Sequence, residues 1–575
     1  MSIVEEAETA PARDDNKSAS AHGDKTKSKL RSAQLLVKCL EHEGVEYIFG
    51  IPGEENIGVM DALLDSPIQF IVTRHEQGAA FMADVYGRLT GRAGVCMSTL
   101  GPGATNLVTG VADANMDRAP VVAIAGQGAT TRMHKESHQI LDLVNLFDPI
   151  TKYSVQIREP EIVPEIVRKA FKFAQAEKPG AAFIDFPENI AEMEVENLEP
   201  LLVQSAPAPQ AASGKCRRVA DMISEAKNPI IIAGNGVIRH EASNALVEFA
   251  ESVNAPVATT FMAKGAMPSS HPLSLGTVGL KAHDLVAYGI DDADLVICIG
   301  YDMVEYDPAH WNPKRDKGII HVDGSPAEVD SHYIVRAGVI GDIKDSMRRI
   351  GAQCERPPLP AMKKLRDRIK KELNHHADDM SHPVKPQKII HDIRQVLEPE
   401  DIVISDVGAH KMWVARMFQA ERPNTCIISN GFASMGIALP GAIAAKLVYP
   451  ERNILAVCGD GGFMMNNQEI ETAVRLGLNI TVLMFNDNKL GLIEWHQLRE
   501  YGRKSNIDVG NPDFVKFADA FGAKGYSVDR TEDLQDTLRK AIAEDGVTII
   551  DCPVDYSENM KLTERLKGMT SFDQE

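Results

Sequence analysis

The chain has 575 residues and a net charge of −20, with 61 lysine and arginine residues set against 81 aspartate and glutamate residues. That length is too great for one ordinary core and implies about three to four domains. The acidic balance, with no basic stripe to offset it, argues against a nucleic-acid or anionic-membrane surface. No run of about eighteen apolar residues exists to cross a bilayer, and 44% apolar with 25% charged residues is the composition of a soluble globular protein.

Residues 1–28 are polar, of mixed charge and without an apolar stretch; they are expected to be a disordered tail and not a transit peptide. From 29 to 195 the pattern is α/β. Leu35, Leu36, Cys39 and Leu40 make one helical face, and strands are expected at Tyr47–Phe49, Phe70–Val72, Gly94–Thr99, Val121–Ala125 and Ala181–Asp185. Gly50-Ile51-Pro52-Gly53 is a tight loop after the first strand. Glu76 lies where the second strand meets a helix rich in small residues, and Gly101-Pro102-Gly103-Ala104-Thr105-Asn106 opens the next helix. This alternation indicates a doubly wound parallel domain.

Residues 196–213, with Pro200, Pro207 and Pro209 among alanines and serines, have linker composition. The section 214–353 resumes with strands at Pro229–Ala233, Leu295–Ile299 and Gly318–Val322. Its Gly234-Asn235-Gly236 turn has Arg239 where a dinucleotide fingerprint requires glycine, so a structural turn is the better reading. A second linker, 354–385, holds a charged helix near Lys363–Asn374. The last domain, 386–555, runs from the strand Ile402–Ser405 to the strand Thr548–Cys552, and 556–575 forms a tail that either covers the site or frays. Eight cysteines are scattered without any C-x-x-C. Cys96, Cys298, Cys458 and Cys552 fall in or beside apolar runs, as small core hydrophobes of a reducing, cytoplasmic compartment would.

Within that last domain, Ile454–Ile493 carries the strongest chemical signal. An apolar run, Ile454–Cys458, breaks at Gly459-Asp460-Gly461-Gly462; a helical pattern follows; a second apolar run, Ile480–Phe485, stops at Asn486-Asp487-Asn488. Strand, glycine turn, helix and strand make a right-handed βαβ unit with parallel strands, which puts Asp460 and Asp487 at the same carboxyl edge of the sheet. Two oxygen ligands there, beside glycines that expose backbone N–H groups, point to a Mg²⁺–diphosphate site. A bare G-D-G is more often only a turn; the second acid 27 positions later, directly after a strand, reverses that preference.

The interval between Gly459-Asp460-Gly461 and Asn486-Asp487 resembles the thiamine diphosphate (ThDP) signature, with Asp487 in place of its second asparagine. The series FGIPG (Phe49–Gly53), RHEQGAAFMADVYGR (Arg74–Arg88), GPGATNLVTGVADA (Gly101–Ala114), SDVGAHKMW (Ser405–Trp413) and NGFASMGIALPGAIAA (Asn430–Ala445) occurs in this order. It resembles the acetolactate synthases over about Leu30 to Asp555. The resemblance implies three doubly wound parallel-sheet domains: pyrimidine-binding, central of the transhydrogenase dIII type, and diphosphate-binding. It also implies a homodimer or homotetramer in which Glu76 of one subunit reaches the cofactor held by its neighbour.

Carried over by position, Glu76 would activate the aminopyrimidine and Gln139, in KESHQILDL, would sit near the reacting carbonyl. Met435 would prop the cofactor in its bent form. Pro52, Asn106, Gly408, His410, Gly459, Gly461 and Gly462 would line the cofactor, and Asp460, Asp487 and the Lys489 carbonyl would bind Mg²⁺. The bland readings are a helix-start glutamate for Glu76, a core methionine for Met435 and a solvated face at His138-Gln139. Ile299–Pro313 and Tyr501–Gly525 resemble the FAD-independent, catabolic members, so FAD is not expected. Glu55 stands where catabolic members often have lysine, and a carboxylate at the pocket mouth would repel a keto acid. His496, beside Trp495, stands where biosynthetic members place a tryptophan that selects the second keto acid. The implied reaction is decarboxylation of pyruvate and carboligation to a second pyruvate. The alternatives are another ThDP-dependent 2-keto-acid decarboxylase or aldehyde carboligase, an FAD-binding biosynthetic enzyme, or a non-catalytic relative on the same scaffold. Small-molecule 2-keto acids are the expected partners, with no nucleic acid and no membrane.

Overall fold

The computed structural model describes residues 29–204, 208–280, 284–354, 356 and 360–564; the tail expected at 1–28 and the end of the one expected at 556–575 lie outside them. Three six-stranded sheets, parallel throughout, carry an α/β fold of three doubly wound units. In space the first sheet runs Gln69–Val72, Tyr47–Gly50, Gly94–Ser98, Val121–Gln127, Ala181–Pro187, Tyr153–Gln156. The third repeats that order with Cys426–Ile428, Ile402–Ser405, Ile454–Gly459, Ile480–Asn486, Val547–Pro553 and Lys524–Ser527. In both, the chain leaves its first strand in one direction and returns to build in the other, so a crevice opens between the first and third strands at their carboxyl ends. Open α/β sheets bind ligands at such a switch point.

The central sheet has a different order: Ser274–Thr277, Val257–Thr259, Pro229–Ala233, Leu295–Ile299, Gly318–Asp323, Val335–Ile340. Its switch point lies between Pro229–Ala233 and Leu295–Ile299. A short antiparallel pair, Lys29–Arg31 with Glu194–Glu196, ties the start of the first unit to its end.

The first and third units share one core. Helix Glu76–Thr90 lies between helix Pro102–Met116 on its own side and helix Ala438–Val448 from the third unit. Its small residues allow that approach: Ala79, Ala80 and Ala83 are fully buried, and Val85 meets Gly441 of the facing helix. Interdigitation at this density makes the two units one packed body.

Two local features differ from the sequence reading. Asp460 begins a helix, Asp460–Asn466, so the glycines after it form a helical first turn and not a loop. A second helix, Glu469–Arg475, follows after a break, where one helical pattern was expected. The start of the C-terminal segment is also packed: Trp413 Nε1 donates to Asn559 Oδ1 at 2.7 Å, and Asn559 is buried. Among the described residues no helix is long and apolar enough to cross a membrane.

Candidate active site

At the switch point of the first sheet, the loops after Tyr47–Gly50 and Gly94–Ser98 touch. Gly53 lies against Thr99, and Thr99 Oγ1 donates to Glu55 Oε2 at 2.6 Å, with Glu55 buried. Glu55 is thus bonded into the sheet edge. Glu76 is the first residue of its helix, where a carboxylate favours the positive end of the helix dipole. The preceding His75 caps that end, its Nδ1 accepting from the Gln77 N–H at 3.0 Å. Glu76 is only 8% exposed; Oε2 accepts from Asn106 Nδ2 at 2.9 Å, and Oε1 faces Gly103. Gln139 is exposed, in a loop against Gly101, with left-handed backbone at φ 58°. Pro52, Glu76, Asn106 and Gln139 are therefore collected along one sheet edge.

The switch point of the third sheet collects the rest. Asp406, Gly408 and His410 follow Ile402–Ser405, and Gly459 of the adjacent strand lies against His410. His410 is buried, and burial drives its pKa down to about 3, so the ring is neutral; its Nε2 has no hydrogen-bond partner among the described residues. Asp406 Oδ1 accepts from the N–H groups of Val407 at 2.6 Å and Gly436 at 2.8 Å. Its Oδ2 is unpartnered, and burial pushes the carboxyl up to about 6. Met435, one residue before Gly436, brings its Cε close to Gly461.

Asp460 Oδ1 accepts from the Gly461 N–H at 2.9 Å and Oδ2 from Asn511 Nδ2 at 2.7 Å. The same Asn511 amide reaches Asn486 and Asn488, each at 3.1 Å, which locks the loop bearing Asp487 and Lys489 beside Asp460. Asp487 is pushed up to about 7, first by burial and then by the charge of Asp460. Asp460 is raised too, by burial, against the hydrogen bond from Asn511.

Two carboxylates, one of them raised by the charge of the other, next to an unpartnered imidazole nitrogen fit a cation-bound diphosphate. The described residues include no group of three or more His, Cys, Asp or Glu poised for a metal. Mg²⁺ characteristically takes one or two carboxylates and completes its shell with phosphate oxygens and water, so the residues present suit it. Beside this loop a cavity of about 540 Å³ is lined by Asp487, Lys489, Glu494, Trp495 and Tyr556. Trp495 is buried on helix Gly491–Tyr501, whereas the adjacent His496 is half-buried, with Arg499 Nη2 3.1 Å from its Nδ1.

Among the described residues no hydrogen bond joins the Glu76 set to the Asp460 set directly. What lies between them is Glu469, which sequence reasoning missed. Fully buried at the start of helix Glu469–Arg475, it accepts from the N–H groups of Arg74 and His75, both at 3.0 Å, and from Thr472 Oγ1 at 2.7 Å. Asp406 and Asn511 were missed as well. Asp406 sits inside the SDVGAHKMW run, where its position directly after a strand was the available signal; Asn511 lies 51 residues from Asp460 and carries none.

Three family profiles match the chain: the N-terminal binding domain of thiamine pyrophosphate enzymes at residues 30–146, their central domain at 216–350, and their C-terminal binding domain at 406–552. Whole-chain relatives agree. An acetolactate synthase of Bacillus subtilis is 39% identical over 545 residues, covering 93% of this chain and 95% of the relative. A catabolic acetolactate synthase of Raoultella terrigena is 36% identical, covering 93% and 97%. A probable acetolactate synthase large subunit of Methanocaldococcus jannaschii is 35% identical, covering 93% of each.

Proposed function

Because the chain belongs to the acetolactate synthases among the thiamine pyrophosphate enzymes, we propose that it decarboxylates pyruvate and joins the two-carbon remainder to a second pyruvate, giving 2-acetolactate and CO₂. When bound, thiamine diphosphate supplies the carbon nucleophile that both steps need. The chain's own residues have the complementary tasks. Glu76, fixed by Asn106, would hold its carboxylate toward the aminopyrimidine nitrogen and share a proton with it there. Met435 supports the cofactor between its rings. Gly408, His410, Gly459, Gly461 and Gly462 line the diphosphate, with the orphaned His410 Nε2 as a polar contact. Asp460, Asp487 and the Lys489 carbonyl hold Mg²⁺. Pro52 and Gln139 face the reacting end from the edge that carries Glu76.

The observation that carries this reading is the pair of half-sites at matching switch points: one with a buried, hydrogen-bonded glutamate and one with a carboxylate pair ready for a cation. Each chain contributes one of each, which supports a homodimer or homotetramer in which the halves meet across subunits. All eight cysteines are free and buried, as a reducing cytoplasm favours.

The central unit supports a flavin-free enzyme. At its switch point the two glycine loops close on each other: a Cβ on Gly234 would lie 2.4 Å from the Gly300 carbonyl oxygen. The N–H of Asn235 is taken by the buried Glu305 carboxylate, at 3.0 and 3.1 Å, and Thr260 Oγ1 donates to the same group. An internal carboxyl group thus occupies the turn that a nucleotide phosphate would use.

Purified protein given ThDP, Mg²⁺ and pyruvate is expected to release half as much CO₂ as the pyruvate consumed. The product should turn to acetoin on acid treatment, and the protein should show no flavin absorbance. Acetaldehyde as the sole organic product would overturn the carboligation, and bound flavin would overturn the reading of the central unit.

A further inference from the structure

We propose that Asp113 and Asp117 are positioning residues for Met435: from the far end of the helix that holds Glu76 through Asn106, they suspend the loop that presents Met435 to the cofactor. The inference rests on the reading of Met435 as the cofactor's support.

Arg88 lies at the centre of a buried cluster. It is paired with Asp84, Asp113 and Asp117, whose side chains are all 0% exposed. One carboxylate would neutralise the guanidinium. Two more in a core are costly unless donors satisfy them. Five of those donors come from one short stretch. Asp113 Oδ1 accepts from Ser429 Oγ at 2.8 Å and from the Ser434 N–H at 3.2 Å. Asp117 accepts from the N–H groups of Asn430 at 3.0 Å, Gly431, and Phe432 at 3.4 Å. Arg88 Nη1 adds a bond to the Ile428 carbonyl at 3.3 Å, where the preceding strand ends.

The stretch has no helix or strand pairing of its own to satisfy those groups. Ala433 is left-handed at φ 59°, a strained conformation for a residue with a Cβ, and a Cβ on Gly431 would lie 2.6 Å from Asp117 Oδ1. The backbone is therefore moulded onto the two carboxylates. Met435 follows directly, and Gly436 after it is pinned by Asp406. Met435 thus spans two anchors, one in its own unit and one in the first unit. Desolvation raises Asp84 and Asp113, as expected for acids in excess over a single buried cation.

The test compares full-length Asp117→Asn, Ser429→Ala and Met435→Ala with the wild type. ThDP affinity is read by quenching of tryptophan fluorescence in apo protein with Mg²⁺, the environment of the bound cofactor by near-ultraviolet circular dichroism, and turnover at saturating cofactor. Asp117→Asn and Ser429→Ala are expected to lower kcat about tenfold and to shift the dichroism in the direction Met435→Ala does, with the ThDP Kd rising less than about threefold because the diphosphate anchor is untouched. Wild-type kcat and dichroism in these two variants, with Met435→Ala impaired, would overturn the positioning role alone. Wild-type behaviour of Met435→Ala would overturn the support reading and this inference with it. Ser429→Ala leaves every buried charge in place and decides the matter if Asp117→Asn fails to fold.

Discussion

Asp487 follows its strand by one residue and meets Asp460 across the sheet edge, with both carboxyls raised by burial and Asp487 raised further by its neighbour. The pair is mutually repulsive until a divalent cation joins it, so Asp487→Asn should act oppositely on the free and loaded protein. Without metal the variant is expected to be more stable, by about 1 kcal/mol or less after solvent screening. With one formal charge removed from the shell, Mg²⁺ should bind about tenfold more weakly, since the amide oxygen still coordinates. Thermal unfolding in chelator and calorimetric Mg²⁺ titration check the two halves, and an unchanged Mg²⁺ affinity would take Asp487 out of the metal's shell. At this scale the sequence was informative where chemistry is local: each aspartate follows an apolar run after one intervening residue, and that alone puts both at one edge. Asn511, which braces Asp460 against the Asp487 loop, was invisible because its three partners are brought to it only by the fold.

Helix Glu76–Thr90 is held at its first turn from another unit, because Glu469 accepts from the N–H groups of Arg74 and His75, just before Glu76. Burial pushes Glu469 up to about 7, against lowering by the Thr472, Arg74 and His75 donors. The folded value lies above the ordinary glutamate value, so the folded state keeps the proton more tightly than the unfolded chain does. That contribution is full below about pH 4.5 and is lost as pH rises through about 7. Between pH 5 and 8 the wild type is therefore expected to lose about 1–3 kcal/mol more stability than Glu469→Gln, read from denaturant unfolding at each pH. Parallel pH profiles would show that Glu469 does not titrate in this range. Elements with continuous apolar runs, such as Ile480–Asn486 and Val121–Gln127, were legible to within two residues at either end. The strands Tyr153–Gln156 and Lys524–Ser527 were not, since both are short, lie at sheet edges and are not fully buried, which leaves little pattern to read. The Asp460 helix was misread as a turn because its glycines signal a loop, while its packing makes it a helix.

At the scale of the whole molecule, the two halves of the site are organised by different sheets, and the face of helix Glu76–Thr90 that could have joined them is already filled. Gly78 meets Glu469, and Val85 meets Gly441, so this helix is committed to its own chain's third unit along one side while Glu76 turns to Asn106 and Gly103. If the functional site forms across subunits, each site takes its glutamate from one chain and its aspartate pair from the other. Glu76→Gln and Asp460→Ala are then both inactive alone, for different reasons: the first leaves cofactor binding intact, the second removes a metal ligand. Unfolded together and refolded at equal concentration, they should form mixed dimers as about half the population, and each mixed dimer pairs one intact glutamate with one intact aspartate while its other site carries both lesions. Activity should therefore return to about a quarter of the wild-type value, and raising the share of either variant should lower it again. A site built within one chain gives no recovery at any ratio, because every chain carries one of the lesions. The measured fraction thus separates the two arrangements without a structure of the assembly, and a tetramer built from the same dimers gives the same quarter.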